Sequence, residues 1–353
     1  MAVQQARADN IGMARQFAGN MVRLGWYSGL NWLAERRSAV AGMPQPKVRR
    51  KGPVPSRSEL MADLHSLLRH DAELVRDGLA MANAVEPASG LMDHIARLRA
   101  MFADLGDAAE RRHSQTSNTV SQQPTAAGLP EYFAQDFHFQ KGGYLSQESA
   151  RLYDVQVETL FYGAAAAMRR SAIRPIAKHV AGKDQRQMSL LDVACGTGRL
   201  LREIRLAFPA LHLTGVDLSP TYLSEAAAHL KGLRSADLVA ANAEQIPLPD
   251  ASQDIATTVF LFHELPGEVR RRVAGEIARV LRPGGILVFI DSLQMGDKPN
   301  WDGLLEAFPQ RYHEPYYRQY AIDDLNELFA NAGLQVESTS LAFLSKVLVC
   351  RRR

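Results

Sequence analysis

Residues 190–199 read Leu-Leu-Asp-Val-Ala-Cys-Gly-Thr-Gly-Arg, and no other stretch restricts the fold as tightly. A short apolar run ends in an acid, two glycines stand two apart, and Leu200, Leu201, Ile204 and Phe208 recur at helical spacing before Pro209. The pattern predicts a strand, a glycine turn and a helix. Glycines in such a turn let the backbone approach a ligand, and the helix behind it directs unpaired N–H groups toward the same place. A bare Gly-x-Gly is equally compatible with a tight turn in any α/β protein.

Two phosphate-binding readings weaken at once. A dinucleotide loop has a third glycine for close helix–strand packing, and Leu201 occupies that position. A P-loop has Gly-Lys-Ser/Thr at the helix start, whereas this turn ends Gly198-Arg199-Leu200. What remains is a nucleoside ligand without a pyrophosphate, with the acid Asp192 just before the turn.

From Ser189 onward strands and helices alternate. Leu211–Asp217 is a second strand ending in an acid 19 residues past Gly198, and Leu238–Ala241 is a short third. Asp254–Phe262 is a nearly continuous apolar fourth, the mark of burial on both faces. A helix carrying Val269, Val273, Ile277, Val280 and Leu281 stops at Arg282-Pro283-Gly284-Gly285, and Ile286–Ile290 follows as a fifth strand. Leu334–Leu341 and Lys346–Cys350 read as a terminal antiparallel pair. The fold expected is α/β, a doubly wound seven-stranded sheet. Asp217, at a strand end, suits ribose hydroxyls, because a carboxylate accepts two hydrogen bonds from a vicinal diol.

The first half of the chain reads differently. Phe17, Met21, Val22, Leu24, Trp26, Leu30, Trp32 and Leu33 give residues 11–37 a broad apolar helical face, interrupted by arginines and weakened by Gly19, Gly25 and Gly29. Core or partner packing, a membrane interface and a cleavable targeting segment all stay open for these residues. Pro44 to Pro55 reads as a basic linker, Ser56-x-x-Glu59 as a capping box, and two amphipathic helices follow, on Leu60–Val75 and Leu91–Leu105. Residues 1–51 carry nine Lys/Arg against Asp9 and Glu35, a surplus of seven, so the other 302 residues are net −4 within the chain total of +3. Charge alone does not choose among nucleic acid, an anionic membrane and solvent for this arm.

These readings divide the chain into a helical region with a basic arm (1–112), a polar linker (113–130) and an α/β domain (131–353). The last comprises a lead-in (131–185), crowded with Tyr132, Phe133, Phe137, His138, Phe139 and Tyr144, and a sheet core (186–353). With no apolar run of about 18 residues, a transmembrane helix is not expected. Cys195 and Cys350 are the sole cysteines, so neither a disulfide framework nor a cysteine zinc site is expected, and the default setting is cytoplasmic.

Asp192-Val193-Ala194-Cys195-Gly196-Thr197-Gly198 resembles the first motif of the class I S-adenosylmethionine-dependent methyltransferases, in the variant with alanine at the first glycine position. Asn242-Ala243-Glu244-Gln245-Ile246-Pro247 resembles the third motif, with Asn242 where Asp is common, and Arg282-Pro283-Gly284-Gly285 resembles the turn into strand five. The resemblance, to members that act on small molecules such as quinones and sterols, covers about residues 185–350. It implies a Rossmann-like sheet and an S-adenosylmethionine site built from Asp192, Ala194, Gly196, Gly198, Asp217, Leu218, Asn242, Ala243 and Val259.

It further implies a lead-in folded over cofactor and substrate, with acceptor recognition between strands five and six. Candidate catalytic residues are His263, at the end of strand four, and His313 and Tyr316 in that insertion. His313 and Glu314 are adjacent and so point to different faces of a regular element, which argues against a metal pair; no metal is expected. DNA amino-methyltransferases carry Asn/Asp-Pro-Pro-Tyr/Phe where this chain has His263-Glu264-Leu265-Pro266, so nucleic acid is not the expected substrate. The function implied is methyl transfer to a small or lipid-like acceptor. The alternative is a non-catalytic binding module docked by its N-terminal helices. For residues 11–51, a protein partner and a peripheral contact at the inner membrane both stay open.

Overall fold

The structure, a computed structural model, describes residues 10–40, 42, 48–82, 90–114, 120–122, 126–139 and 142–353. Much of the expected linker, residues 115–119 and 123–125, lies outside them, as do residues 43–47 of the basic segment.

Seven strands form one sheet: β1 (Ser189–Val193), β2 (His212–Asp217), β3 (Asp237–Ala240), β4 (Gln253–Val259), β5 (Leu281–Ser292), β6 (Leu334–Ala342) and β7 (Ser345–Arg352). Their spatial order is β3-β2-β1-β4-β5-β7-β6. The first five run parallel, while β7 lies antiparallel to both β5 and β6. The order reverses between β1 and β4, so the strand ends there open a crevice.

Alternation along β5 shows how both faces are covered. Ile286, Val288 and Ile290 join a core with Leu190 and Ile255, roofed by helices α6 (Ile173–Val180), α7 (Arg199–Ala207) and α8 (Pro220–Leu230). Leu287 and Phe289 join the opposite core, under α9 (Gly267–Val280) and α12 (Leu325–Asn331). Two apolar faces explain why β4 and β5 read as continuous apolar runs rather than alternating ones.

Two strand boundaries differ from expectation. Strand four stops at Val259, because Phe260 adopts a left-handed backbone (φ 58°) and Phe262–Glu264 closes a 3₁₀ turn. Strand five begins at Leu281, straight out of α9: Gln253 pairs with Leu281, then the register jumps to Ile255 and Ile286, looping out Arg282–Gly285.

Of the N-terminal helices, α1 spans Asn10–Val40, α2 Arg57–Arg76 and α3 Gly90–Ser114. The capping box forms as expected: Glu59 N–H donates to Ser56 Oγ, and Ser56 N–H to Glu59 Oε2. Behind these come α4 (Gln147–Leu160) and α5 (Ala165–Arg170). Leu24 of α1 and Leu64, Leu67, Leu68 and Leu74 of α2 belong to the same hydrophobic cluster as Leu190, Ile255 and Ile286. Among the described residues no helix is long and apolar enough to cross a membrane.

Helix α1 turns its expected amphipathicity around. Its buried residues are Gly12, Gln16, Asn20, Leu24 and Tyr27, whereas Trp26 and Trp32 are more than half exposed and Val22 and Leu33 also face outward. Phe17 and Met21 are partly buried against the core. The cause is a polar anchor: the Gln16 and Asn20 amides both donate to Asp71 Oδ2, and the Arg170 guanidinium clasps the same buried carboxylate. A buried carboxylate is stable only with such partners, and it decides which face of α1 turns inward.

Candidate active site

The turn after β1 has three residues with positive φ, Ala194 (56°), Gly196 (53°) and Gly198 (72°). Glycine tolerates this conformation; for Ala194 it costs about 1–2 kcal/mol. Phe260, at the end of neighbouring β4, is strained in the same way. Both strained residues line one cavity over the crevice, and strain of this sort gathers at ligand sites.

Gly196 and Gly198 serve different ends. A Cβ on Gly196 would meet only the Tyr222 ring, at 4.0 Å, so its free side opens on the cavity. A Cβ on Gly198 would fall 2.8 Å from Ala226 Cβ, so that glycine lets α8 pack against the turn. Thr197 and Arg199 fasten the turn to α4, since Thr197 Oγ1 donates to Asp154 Oδ1 and Arg199 Nε to Asp154 Oδ2, each at 2.8 Å. Asp154 is buried, which would raise its pKa, but Arg199, His229, Arg169 and the Thr197 hydroxyl together outweigh this and hold it at about 2.

The cavity is lined by Ala194, Gly196, Asp217, Leu218, Asn242, Ala243 and Val259, seven of the residues expected at a nucleoside site. Asp192 and Gly198 stand beneath it. Asp192 is 2% exposed and accepts from Thr257 Oγ1 at 2.6 Å; burial pushes its carboxyl up to about 7. Asp217 Oδ2 accepts from Gly196 N–H and Oδ1 from Ser219 N–H, each at 2.8 Å, so this carboxylate organises the turn as well as facing the cavity. Burial raises it to about 6 despite those two bonds. Asn242 Oδ1 accepts from Glu244 N–H at 2.9 Å, and the Tyr132 hydroxyl, 3.2 Å from that oxygen, gives its proton to Glu244 Oε1 at 2.5 Å, which brings the lead-in to the rim. Tyr132, Phe133, Phe137, Tyr144 and Tyr153 close the cavity from that side.

A second cavity, of about 270 Å³, adjoins the first through Tyr153, Phe260 and Glu264, which line both. Its walls are mixed: Val157, Leu160, Phe161, Leu304, Leu305 and Phe308, the last three from α10 (Asp302–Arg311), are apolar, and Asn31, Glu35 and Arg311 add polar groups. One end is polar: His138, His263, Glu264 and Tyr317 line it, and Tyr317 hydrogen-bonds Ser292 Oγ at 2.7 Å.

His263 thus faces this second cavity. Its Nδ1 lies 2.5 Å from Asp291 Oδ1, and Asp291 is fixed in turn by the Phe262 and Ser292 N–H groups, each at 2.7 Å. Burial would lower the imidazole, but the Asp291 carboxylate raises it to about 10. His313 and Tyr316 line neither cavity. The His313 ring lies 3.4 Å from Gln135 Oε1, and Tyr316 packs with Phe137, Tyr144 and Tyr222.

Their neighbour Glu314 reaches inward instead. Its side chain is fully buried, 3.2 Å from His138 Nε2, and burial pushes its carboxyl well up from the ordinary range. Glu264 accepts from the Tyr144 hydroxyl at 2.5 Å and stands 3.8 Å from the same imidazole. His138, Glu264, Glu314 and Asp291 are the members that sequence reasoning passed over. The available signal was chain position: Glu264 and Asp291 end or follow strands at the crevice, and His138 sits in the aromatic lead-in.

Residues 190–285 match a protein-family model described as a methyltransferase domain. Over 169 residues the chain is 34% identical to the ubiquinone/menaquinone biosynthesis C-methyltransferase UbiE of Methylobacterium nodulans, covering 46% of this chain and 63% of that protein. It is 33% identical over 142 residues to the demethylmenaquinone methyltransferase of Listeria welshimeri, covering 38% of this chain and 57% of the relative. The chain therefore spans less than two thirds of the curated relatives it matches. A solved S-adenosylmethionine-dependent methyltransferase from Aquifex aeolicus aligns with 50% of this chain and 87% of its own, at 21% identity and a TM-score of 0.38.

Proposed function

Because residues 190–285 match a methyltransferase-domain model, we propose that the chain is a class I S-adenosylmethionine-dependent methyltransferase that transfers a methyl group to a small, lipid-like acceptor. The observation that carries the reading is the pair of adjoining cavities, one over the glycine turn and one of mixed lining with a polar end, meeting at Tyr153, Phe260 and Glu264. The donor set of the first suits the cofactor. Asp217 offers lone pairs beyond those it spends on Gly196 and Ser219, so it takes the ribose hydroxyls. Asn242 Oδ1 accepts from the adenine amino group, between the apolar Leu218, Ala243 and Val259. The open side of Gly196 and the Ala194 backbone flank the methionine portion, with Asp192 supporting the turn from below.

S-adenosylmethionine supplies a methyl already activated on a sulfonium, so the protein chiefly orients the acceptor and excludes water. Tyr144, Tyr153 and Phe260 supply the exclusion at the join, and His263 is placed to hold an acceptor oxygen at the polar end. A largely apolar acceptor bearing a hydroxyl suits this lining, and the relatives named for quinone methylation support that class. The same proposal includes a cytoplasmic setting, supported by two cysteines that are both free. It also includes a peripheral membrane contact through the exposed Trp26 and Trp32, which would bring the enzyme to such an acceptor.

The test is incubation of the protein with cell extract and isotopically labelled S-adenosylmethionine, followed by mass spectrometry. An apolar metabolite gaining the label is expected. Absence of S-adenosylmethionine binding by calorimetry would instead favour a non-catalytic module.

A further inference from the structure

Where the two cavities join, four side chains converge from distant parts of the sequence: His138 from the lead-in, His263 and Glu264 after β4, and Glu314 after α10. Donor atoms of His138, Glu264 and Glu314 all lie within 4.8 Å of one another. His138 Nε2 stands 3.2 Å from Glu314 Oε1 and 3.8 Å from Glu264 Oε1, and His263 Nε2 stands 4.0 Å from that same Glu264 oxygen. Ligands 2.0–2.2 Å from one ion, at octahedral or tetrahedral angles, stand about 3.0–3.5 Å apart. His138, Glu264 and Glu314 are already near that spacing.

We propose that His138, Glu264 and Glu314 hold a divalent transition-metal ion at the junction of the two cavities, with His263 standing beside Glu264. Two further observations point to a ligand rather than to ion pairing alone. The Glu314 side chain is fully buried, and neither of its oxygens receives a hydrogen bond from any described group, although His138 faces one of them. A buried carboxylate so placed is costly without a cation. The second observation is at His263, whose Nδ1 sits on Asp291 Oδ1 at 2.5 Å and so leaves Nε2 facing Glu264. Ligating carboxylates are usually steadied by outer partners, here this imidazole at 4.0 Å and the Tyr144 hydroxyl at 2.5 Å.

The donor set selects the metal class. One imidazole and two carboxylates suit zinc, iron(II), manganese or nickel, whereas magnesium and calcium favour all-oxygen sites. Because Glu264 lines both cavities, the ion would lie between cofactor and acceptor, where an acceptor bearing a hydroxyl or carboxylate could bind it through oxygen.

The full-length chain, stripped with a chelator, is titrated with cobalt(II) or manganese(II) by calorimetry, the cobalt form being followed also by its visible absorption. One equivalent is expected. Glu314→Gln and His138→Ala should each weaken binding at least tenfold. S-adenosylmethionine affinity and thermal melting, read on the same samples, report whether each variant is folded; His138→Asn serves if His138→Ala is not. Lack of stoichiometric binding by the wild type would overturn the proposal, as would folded variants that bind as tightly as the wild type. Metal binding without S-adenosylmethionine binding would leave this site standing while removing the methyl-transfer reading.

Discussion

Replacing Asp217 with alanine tests the cofactor site most directly. The carboxylate now accepts the Gly196 and Ser219 N–H groups, at 2.8 Å each, and its remaining lone pairs face the cavity. Bonds between ribose hydroxyls and an ionised carboxylate contribute about 1.5–3 kcal/mol, so Asp217→Ala should weaken S-adenosylmethionine binding roughly tenfold to a hundredfold. The two freed N–H groups border an open cavity where water replaces the carboxylate, so the fold should survive with a modest drop in melting temperature. Asp217→Asn keeps a neutral acceptor and should fall between alanine and wild type. Because burial sets Asp217 at about 6, titrations belong at pH 8, where it is ionised. Lowering the pH to 5 should weaken wild-type binding while leaving the Asn variant much less affected. Isothermal titration calorimetry reads all three; a dissociation constant for the alanine variant within twofold of wild type would refute the ribose assignment.

Gly198→Ala should impair both fold and cofactor affinity, since the new Cβ falls 2.8 Å from Ala226 Cβ at a φ of 72°; a melting temperature unchanged from wild type would count against that close contact. Asp71→Ala should destabilise by about 3–5 kcal/mol, because it strands the buried Arg170 guanidinium and removes the acceptor of Gln16 and Asn20. Urea denaturation reads the loss, and Asp71→Leu combined with Arg170→Met should recover most of it. Asp192 has a folded pKa of about 7, above its unfolded value, so its contribution to stability is present in acid and disappears as pH rises through 7. The ligand-free protein should therefore lose up to about 1.4 kcal/mol per pH unit between pH 5 and 7 through this residue, and denaturation of Asp192→Asn should show a shallower pH slope.

The sheet was legible because its signals are local. Apolar runs, the Asp192 and Asp217 strand ends and the Pro283-Gly284-Gly285 turn each announce an element within a few residues, and their order supplies the topology. Seven of nine expected cofactor-site residues line the cavity for the same reason. Helix α1 was misread because an apolar stripe is evidence of burial only when nothing polar competes, and Asp71, 51 residues beyond Asn20, is invisible to periodicity. The pairing of His138 with Glu314 was hidden likewise: the chain separates them by more than half the sheet, and Glu314 turns inward while adjacent His313 turns toward Gln135. Local pattern reports which face an element has; it does not report which distant charge that face will meet.

The clasp between Asp71 and Arg170 also sets an order of events during synthesis. Its two halves are 99 residues apart, and at roughly 5–20 residues per second a ribosome takes on the order of 5–20 s to deliver the second after the first. Through that interval the face of α1 carrying Gln16 and Asn20 has no buried arginine to complete its anchor, so it stays hydrated and the helix stays unmoored. Helices α1 and α2 are thus synthesised before the partner that completes their anchor, and the clasp closes only once Arg170 has emerged.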